Sequence, residues 1–199
     1  MKRSILTILL LAAVAAIQAQ GSDEARSLLD KTAAKLSGEG GVSASFSASG
    51  RNGEASGTII IKGNKFHVQT EQAAVWFDGT TQWVYSKATD EVNISENTDD
   101  QQTINLYKLI TLYKSGYSLT SSSSGSSTTI HATAQSDSKR LTELYITVNS
   151  QNDPTQIKLR TSNGWSTVNI TNVKSGNFAD STFRFNPKDY PTAEVIDLR

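Results

Sequence analysis

The chain has 199 residues, with 19 basic and 19 acidic side chains and no cysteine. This balance, with no basic cluster, gives no support for binding to nucleic acid or to anionic lipid head groups. The absence of cysteine excludes disulfides, so the fold must be stable through packing alone. The length is sufficient for one domain with a buried core, and we expect it to be a monomer.

The N-terminus predicts a secretory signal peptide over residues 1–19. Lys2 and Arg3 precede an apolar run from Ser4 to Ile17, and Ala19 offers a small residue for cleavage. The run is shorter than the roughly 20 apolar residues of a membrane-spanning helix. Because no cysteine follows the cleavage point, the chain is not expected to be lipidated. We therefore expect a soluble, exported protein with one domain over residues 20–199.

The first predicted element of that domain is an amphipathic helix over Asp23–Ser37. Its apolar residues recur at helical spacing and form one stripe: Ala25, Leu28, Leu29, Ala33 and Leu36. Gly38 ends the helix. Val42–Ala48 then alternates apolar residues with serine, which predicts a strand with one polar face.

The segment Gly57–Glu96 predicts several short strands with the same alternation. We expect its apolar pairs to point to one side of the sheet, and Asp78-Gly79 to form a tight hairpin turn. The pairs are Ile59 and Ile61, Phe66 and Val68, Val75 and Phe77, and Trp83 and Tyr85. A sheet with one apolar face must be covered on that face.

The remaining chain predicts one more helix and then strands. The helix covers Thr103–Lys114, and Asn163-Gly164 marks a second hairpin. The strands are Tyr117–Ser122, Thr128–Ala134, Leu141–Asn149, Thr155–Thr161, Ser166–Asn172 and Thr182–Phe185. Because the helices do not alternate with strands, the fold class is α+β, with a strongly curved antiparallel sheet and helices on its concave side.

Few residues support catalysis. His67 and His131 fall at polar positions of alternating strands, no metal-binding spacing is present, and no serine lies in a nucleophile motif. The acidic residues near Asp78 and Asp90 fit turn chemistry. An enzyme, a metal or a cofactor is therefore not expected. The aromatic residues around Trp83 fit either ordinary core packing or the lining of an apolar cavity.

The order of motifs in Gly57–Glu96 resembles the LolA family of outer-membrane lipoprotein carriers. The motifs are G-T-x-x-x-K, K-F, F-D-G-T-T-Q-W-V-Y and D-E-V-N-I-S. The resemblance implies an incomplete β-barrel closed by a lid of helices, with an apolar cavity between them. It also implies a periplasmic carrier that takes lipoproteins, by their acyl chains, from an inner-membrane exporter to an outer-membrane acceptor.

Under this resemblance, the cavity is expected to take its lining from both helices and from the central strands. The expected residues are Leu28, Leu29, Phe46, Ile59, Ile61, Phe66, Val68, Trp83, Tyr85, Leu109 and Ile110. The family's arginine that latches the lid is absent here. Lys62 or Lys65 could replace it, although a lysine lacks the planar fork of arginine.

Two other interpretations remain open. A periplasmic binding or sensor protein for another lipid or glycolipid would share the fold. A non-catalytic secreted structural β-protein would lack both a sizeable internal cavity and amphipathic lid helices.

Overall fold

The computed structural model describes residues 21–51, 53–96 and 106–199, so the predicted signal peptide and the start of the second helix at Thr103 lie outside the described residues. Helix α1 spans residues 21–36, and α2 spans Leu106–Thr111 and continues as a 3-10 turn over Leu112–Lys114. The strands are β1 Val42–Gly50, β2 Gly53–Lys62, β3 Lys65–Thr70, β4 Ala73–Phe77, β5 Thr81–Ser86, β6 Glu91–Glu96, β7 Tyr117–Ser124, β8 Ser127–Ala134, β9 Leu141–Asn149, β10 Pro154–Thr161, β11 Gly164–Ser175 and β12 Glu194–Asp197.

These strands form one long curved sheet that does not close. Its order is β12-β6-β5-β4-β3-β2-β1-β11-β10-β9-β8-β7. Neighbours are antiparallel, as predicted, except that β12 runs parallel to β6. The expectation of a purely antiparallel sheet is therefore wrong at this edge, because the chain after β11 crosses the sheet and returns beside β6.

Cross-strand register defines two faces of the sheet. Val42 lies opposite Ile61, Ile61 opposite Phe66, and Phe66 opposite Phe77, and we call the face that carries them the inner face. The outer face carries the intervening residues, which include Ser43, Ile60, His67 and Trp76. The main core lies on the inner face, since the buried residues of β1–β4 and β7–β11 there belong to one cluster.

Both helices contribute to this core. In α1 the buried residues of the predicted stripe are Ala25, Leu29, Ala33 and Leu36, and α2 contributes Leu109 and Ile110. Polar contacts also hold α1: Lys35 pairs with Asp153 in the β9–β10 turn, and the Tyr113 hydroxyl donates a hydrogen bond to Asp30. Within the described ranges, neither helix is long and apolar enough to cross a membrane.

We call the last part of the chain, residues 176–199, the C-terminal segment; it packs on the outer face through residues such as Phe185 and Tyr190 and then joins the edge of the sheet. Its first part contains a 3-10 turn, Asp180–Phe183, where Thr182–Phe185 was expected to be a strand, so that prediction is wrong. Polar and apolar residues alternate over 182–185 because Phe183 and Phe185 both face the sheet surface. Phe183 has no exposed surface. Strand β12 then adds an edge that the sequence pattern did not predict.

Candidate functional site

An apolar cleft of about 330 Å³ lies on the inner face between the sheet and α2. Its walls come from β1, β2, β3, β10 and β11 and from one residue of the helix. The lining residues are Phe46, Ala48, Ile59, Val68, Leu109, Ile157, Leu159, Ser166, Val168 and Ile170. Among these, only Ser166 carries a polar side chain. The cleft can therefore accept an apolar group but offers little to recognise a charged one.

Small residues lie beside the cleft on β1 and β2. Phe46 lies opposite Gly57 across the β1–β2 pair, and Ala48 lies opposite Ala55. A methyl group on Gly57 would come within 2.0 Å of the Gln69 carbonyl oxygen, so only glycine fits the close approach of β2 and β3 here.

The structure brings together most of the residues that the sequence predicted for a cavity. Phe46, Ile59, Val68 and Leu109 line the cleft. Leu29, Ile61, Phe66 and Ile110 are buried in the same core beside it, and Leu28 is half-buried against that core. The assignment of these nine residues to acyl-chain binding stays a prediction.

Trp83 and Tyr85 lie on the outer face, so their expected place beside the other residues is wrong. The turn after β4 has two central residues, Gly79 and Thr80, and the Asp78 carboxylate accepts hydrogen bonds from the Thr80 and Thr81 amides. Across such a turn an odd-numbered residue pairs with an even-numbered one. Val75 consequently pairs with Val84, and Trp76 pairs with Trp83. The inner face of β5 carries Gln82, Val84 and Ser86 instead.

Sequence reasoning missed the part of the lining that β10 and β11 supply. These residues are Ile157 and Leu159 on β10 and Ser166, Val168 and Ile170 on β11. Their alternation was visible, and it predicted the two strands correctly. What the pattern did not contain is the pairing of β11 with β1, which joins residues more than 100 positions apart and brings Ile170 opposite Phe46.

The two lysines that were expected to latch the helices hold the C-terminal segment instead. Lys65 Nζ lies 2.8 Å from Asp180 Oδ2, and Lys62 Nζ lies 3.5 Å from Asp180 Oδ1 and donates to the Phe178 carbonyl oxygen at 3.0 Å. Lys62 is on the outer face because Ile61, the residue before it, is on the inner one. The expected latch role is therefore corrected: α1 is held by other cations, Lys35 through Asp153 and Lys114 through Asp30.

The Asp180 pairs predict an acid-dependent loosening of the C-terminal segment. The hydrogen bond from Lys65 lowers the pKa of Asp180 from its ordinary value of 3.8. A lowered pKa in the folded state means that the contribution is complete above pH 3.8 and is lost as the pH falls below it. We expect the hydrogen-exchange protection factors of residues 176–190, which are corrected for the intrinsic pH dependence of exchange, to fall below that pH in the native chain. In Asp180→Asn the lower protection should already be present at neutral pH, and native protection factors that do not change with pH would contradict this.

A second aromatic core lies under the C-terminal segment. Trp76, which is 6% exposed, packs edge-on against Phe185 and Tyr190 at centroid distances of 5.6 and 5.5 Å. His67, the cross-strand partner of Trp76, stacks on it with the ring centroids 5.1 Å apart, and burial lowers the pKa of His67. Tyr85 contacts Tyr190 and donates a hydrogen bond to Asp90. The aromatic residues expected near the cleft are thus divided between the two faces.

Comparison with known proteins agrees with this architecture. Residues 15–163 match the family model described as "Outer membrane lipoprotein carrier protein LolA". The comparison with curated proteins gave no match.

Among solved structures, an uncharacterized conserved protein from Thermus thermophilus superposes with a TM-score of 0.60 at 13% identity, covering 87% of this chain and 99% of that one. A LolA superfamily protein from Nitrosomonas europaea gives a TM-score of 0.43 at 13% identity over 81% and 97% of the two chains. The MucA/MucB complex of Pseudomonas aeruginosa contains a chain that matches with a TM-score of 0.46 at 13% identity, covering 83% and 62%. The first superposition supports the fold, and the family model covers most of the sequence. This chain therefore belongs to the LolA family of outer membrane lipoprotein carrier proteins.

Proposed function

We propose that this protein is a periplasmic carrier that binds the acyl chains of lipoproteins in the apolar cleft and moves them toward the outer membrane. The observation that carries the proposal is the cleft itself: an unfilled, almost wholly apolar space between the sheet and α2 in a chain of the LolA family. The predicted signal peptide over residues 1–19 accords with export. By family resemblance, an inner-membrane exporter supplies the cargo and an outer-membrane acceptor receives it.

Apolar burial supplies the binding energy in this proposal. Each methylene moved from water into the cleft contributes roughly 0.8 kcal/mol. The helices act as a lid, so an empty protein buries their apolar stripe against the sheet, and cargo replaces part of those contacts. The net affinity is the difference between the free energy of burying the cargo chains and the free energy of burying the helix stripe against the sheet. Such a difference allows a carrier to shield acyl chains from water and still release them to an acceptor.

The cleft residue Val68 gives a direct test of acyl binding. Replacing Val68 with glutamate should weaken binding of dansyl-labelled undecanoic acid at least tenfold, because the introduced carboxylate must lose water or exclude the chain. Gln69→Glu is the matched control, since the neighbouring side chain is exposed on the outer face. Fluorescence titration measures both, and circular dichroism checks that they fold.

Val68→Thr, which nearly preserves shape, serves if the glutamate variant does not fold. We expect Val68→Thr to bind more weakly than the native chain and Gln69→Glu to bind equally well. Equal affinities in the native chain, Val68→Thr and Gln69→Glu would place the acyl site elsewhere.

The cargo requires a separate experiment. Native mass spectrometry of the protein purified gently from the periplasm should show a co-purifying acylated protein. A free lipid or glycolipid in its place would retain the acyl site and reject lipoprotein as the cargo. If neither species is found and the fatty-acid probe shows no saturable uptake, the carrier function is rejected.

A further inference from the structure

A cluster of aromatic and basic side chains lies uncovered on the outer face of β8–β11. We call it the β8–β11 patch. It consists of His131, Glu143, Tyr145, Lys158, Arg160 and Trp165. Register brings the cluster together, because His131 lies opposite Tyr145, Tyr145 opposite Lys158, and Arg160 opposite Trp165.

The side chains of the patch are ordered by their mutual contacts. The His131 and Tyr145 rings are parallel within 4° with centroids 4.1 Å apart, and the Tyr145 and Trp165 centroids are 5.9 Å apart. Lys158 Nζ lies 4.6 Å from the centre of the Trp165 ring, within the range of a cation–π contact. Long side chains that are already held in place lose less conformational freedom on binding a partner.

The contrast with the other half of the outer face indicates that the patch is not simply part of a core. There, Trp76 is 6% exposed beneath the C-terminal segment, whereas Trp165 is 38% exposed. The neighbouring strands β7 and β1 present hydroxyl side chains on this face, such as Thr120 and Ser47. Tryptophan, tyrosine and arginine are the residue types that dominate the energy of protein interfaces.

Charge indicates the chemistry of the partner. Arg160 donates a hydrogen bond to Glu143 at 2.7 Å, and this bond lowers the pKa of Glu143, so the two charges remain paired. Lys158 has no carboxylate within ion-pair distance in the part of the chain that the structure describes. The patch therefore carries an excess positive charge beside an exposed indole ring.

We propose that the β8–β11 patch docks an acidic segment of another protein, which places a carboxylate at Lys158 and an apolar side chain against Trp165. The partner would bind across the sheet from the apolar cleft. Ile157 and Leu159, the neighbours of Lys158 in β10, point to the inner face and line that cleft. Because the patch and the cleft lie on opposite faces of the sheet, the inference does not depend on whether the cleft carries lipoproteins.

The test uses three synthetic peptides of equal length that combine leucine with glutamate, with glutamine or with lysine. Nuclear magnetic resonance titration should show the glutamate–leucine peptide shifting the Trp165 indole signal, with much weaker effects from the other two. Lys158→Glu should reduce that affinity at least tenfold, and Lys158→Gln should reduce it less. Lys174→Glu is the matched control, because Lys174 is exposed on β11 and its pairing with Ser43 places it on the same face.

Lys174→Glu should change the affinity less than twofold, and all three variants should retain uptake of the dansyl-labelled fatty acid. Equal binding of the glutamine peptide, an equal loss in Lys174→Glu, or no peptide binding would each overturn the proposal. Vesicles of phosphatidylglycerol form the last arm. If they shift the Trp165 signal and the glutamate peptide does not, the patch binds a membrane surface and the proposal is wrong.

Discussion

Replacing Phe183 with alanine should lower the free energy of unfolding by about 3–5 kcal/mol, the usual cost of removing a fully buried phenylalanine side chain. Phe183 has no exposed surface and joins Ala74, Trp76 and Val92 as buried residues of the outer-face core. Its loss leaves a cavity between the C-terminal segment and β4. Denaturant unfolding monitored by tryptophan fluorescence measures the change, since Trp76 lies in this core.

Leu198→Ala is the control for this prediction, because Leu198 is in the same segment but 65% exposed. Its effect should stay within about 0.5 kcal/mol. Phe183→Ala should also leave uptake of the fatty-acid probe unchanged under conditions where the protein is folded, because the cleft is on the inner face. A loss below about 1 kcal/mol would mean that the C-terminal segment does not unfold with the sheet. A parallel loss of probe binding would mean that the two faces are not independent.

Local patterns in the sequence were sufficient to predict most of the secondary structure. The alternation in Val42–Ala48 and the stripe that includes Leu29 correspond to β1 and α1, because burial of one side of a strand or helix imposes its period on the sequence. The same reasoning identified Phe46, Ile59 and Val68, which do line the cleft. These residues share a face through direct cross-strand pairs, so short-range parity was enough to place them together.

The misplacement of Trp83 and Tyr85 has a different origin. The Asp78-Gly79 signal correctly predicted a tight turn, and a two-residue turn fixes the register of the strands that follow it. Counting through that turn puts Val84 on the inner face and Trp83 on the outer one. The length of the turn therefore predicts the correct face for Trp83 and Tyr85, whereas hydrophobicity alone predicts the wrong one.

Long-range pairing could not be read from local patterns. Nothing near Lys62 or Lys65 indicates that Asp180 will lie beside them, and nothing near Val195 indicates a parallel partner in β6. The residues of β10 and β11 line the cleft only because β11 returns to pair with β1. The division of the outer face into a covered and an uncovered aromatic cluster also depends on where the C-terminal segment lies.

The gating of the cleft can be tested with Leu29, which is 1% exposed in the middle of α1. Leu29→Glu places a carboxylate in the core that the helix shares with the inner face of the sheet. Burial raises the pKa of the introduced carboxyl or forces the helix from the sheet, and either outcome should cost at least about 3 kcal/mol of stability. If α1 is part of a lid, the variant should also capture the dansyl-labelled fatty acid faster, because the inner-face core against which α1 packs becomes accessible.

Ala34→Glu is the matched control, since Ala34 is exposed on the same helix and the substitution introduces the same side chain. It should leave both the melting temperature and the rate of capture close to those of the native chain.

The polar contacts of α1 allow a second test of the same opening. Lys35→Met removes the pairing of Lys35 with Asp153, which is 14% exposed, and should accelerate capture while perturbing the core less than Leu29→Glu does. If α1 is only part of a static core, Leu29→Glu should lower the stability without faster capture, because displacing the helix then exposes no binding surface for the probe. Faster capture in both Leu29→Glu and Lys35→Met, with Ala34→Glu unchanged, is the outcome that a lid requires.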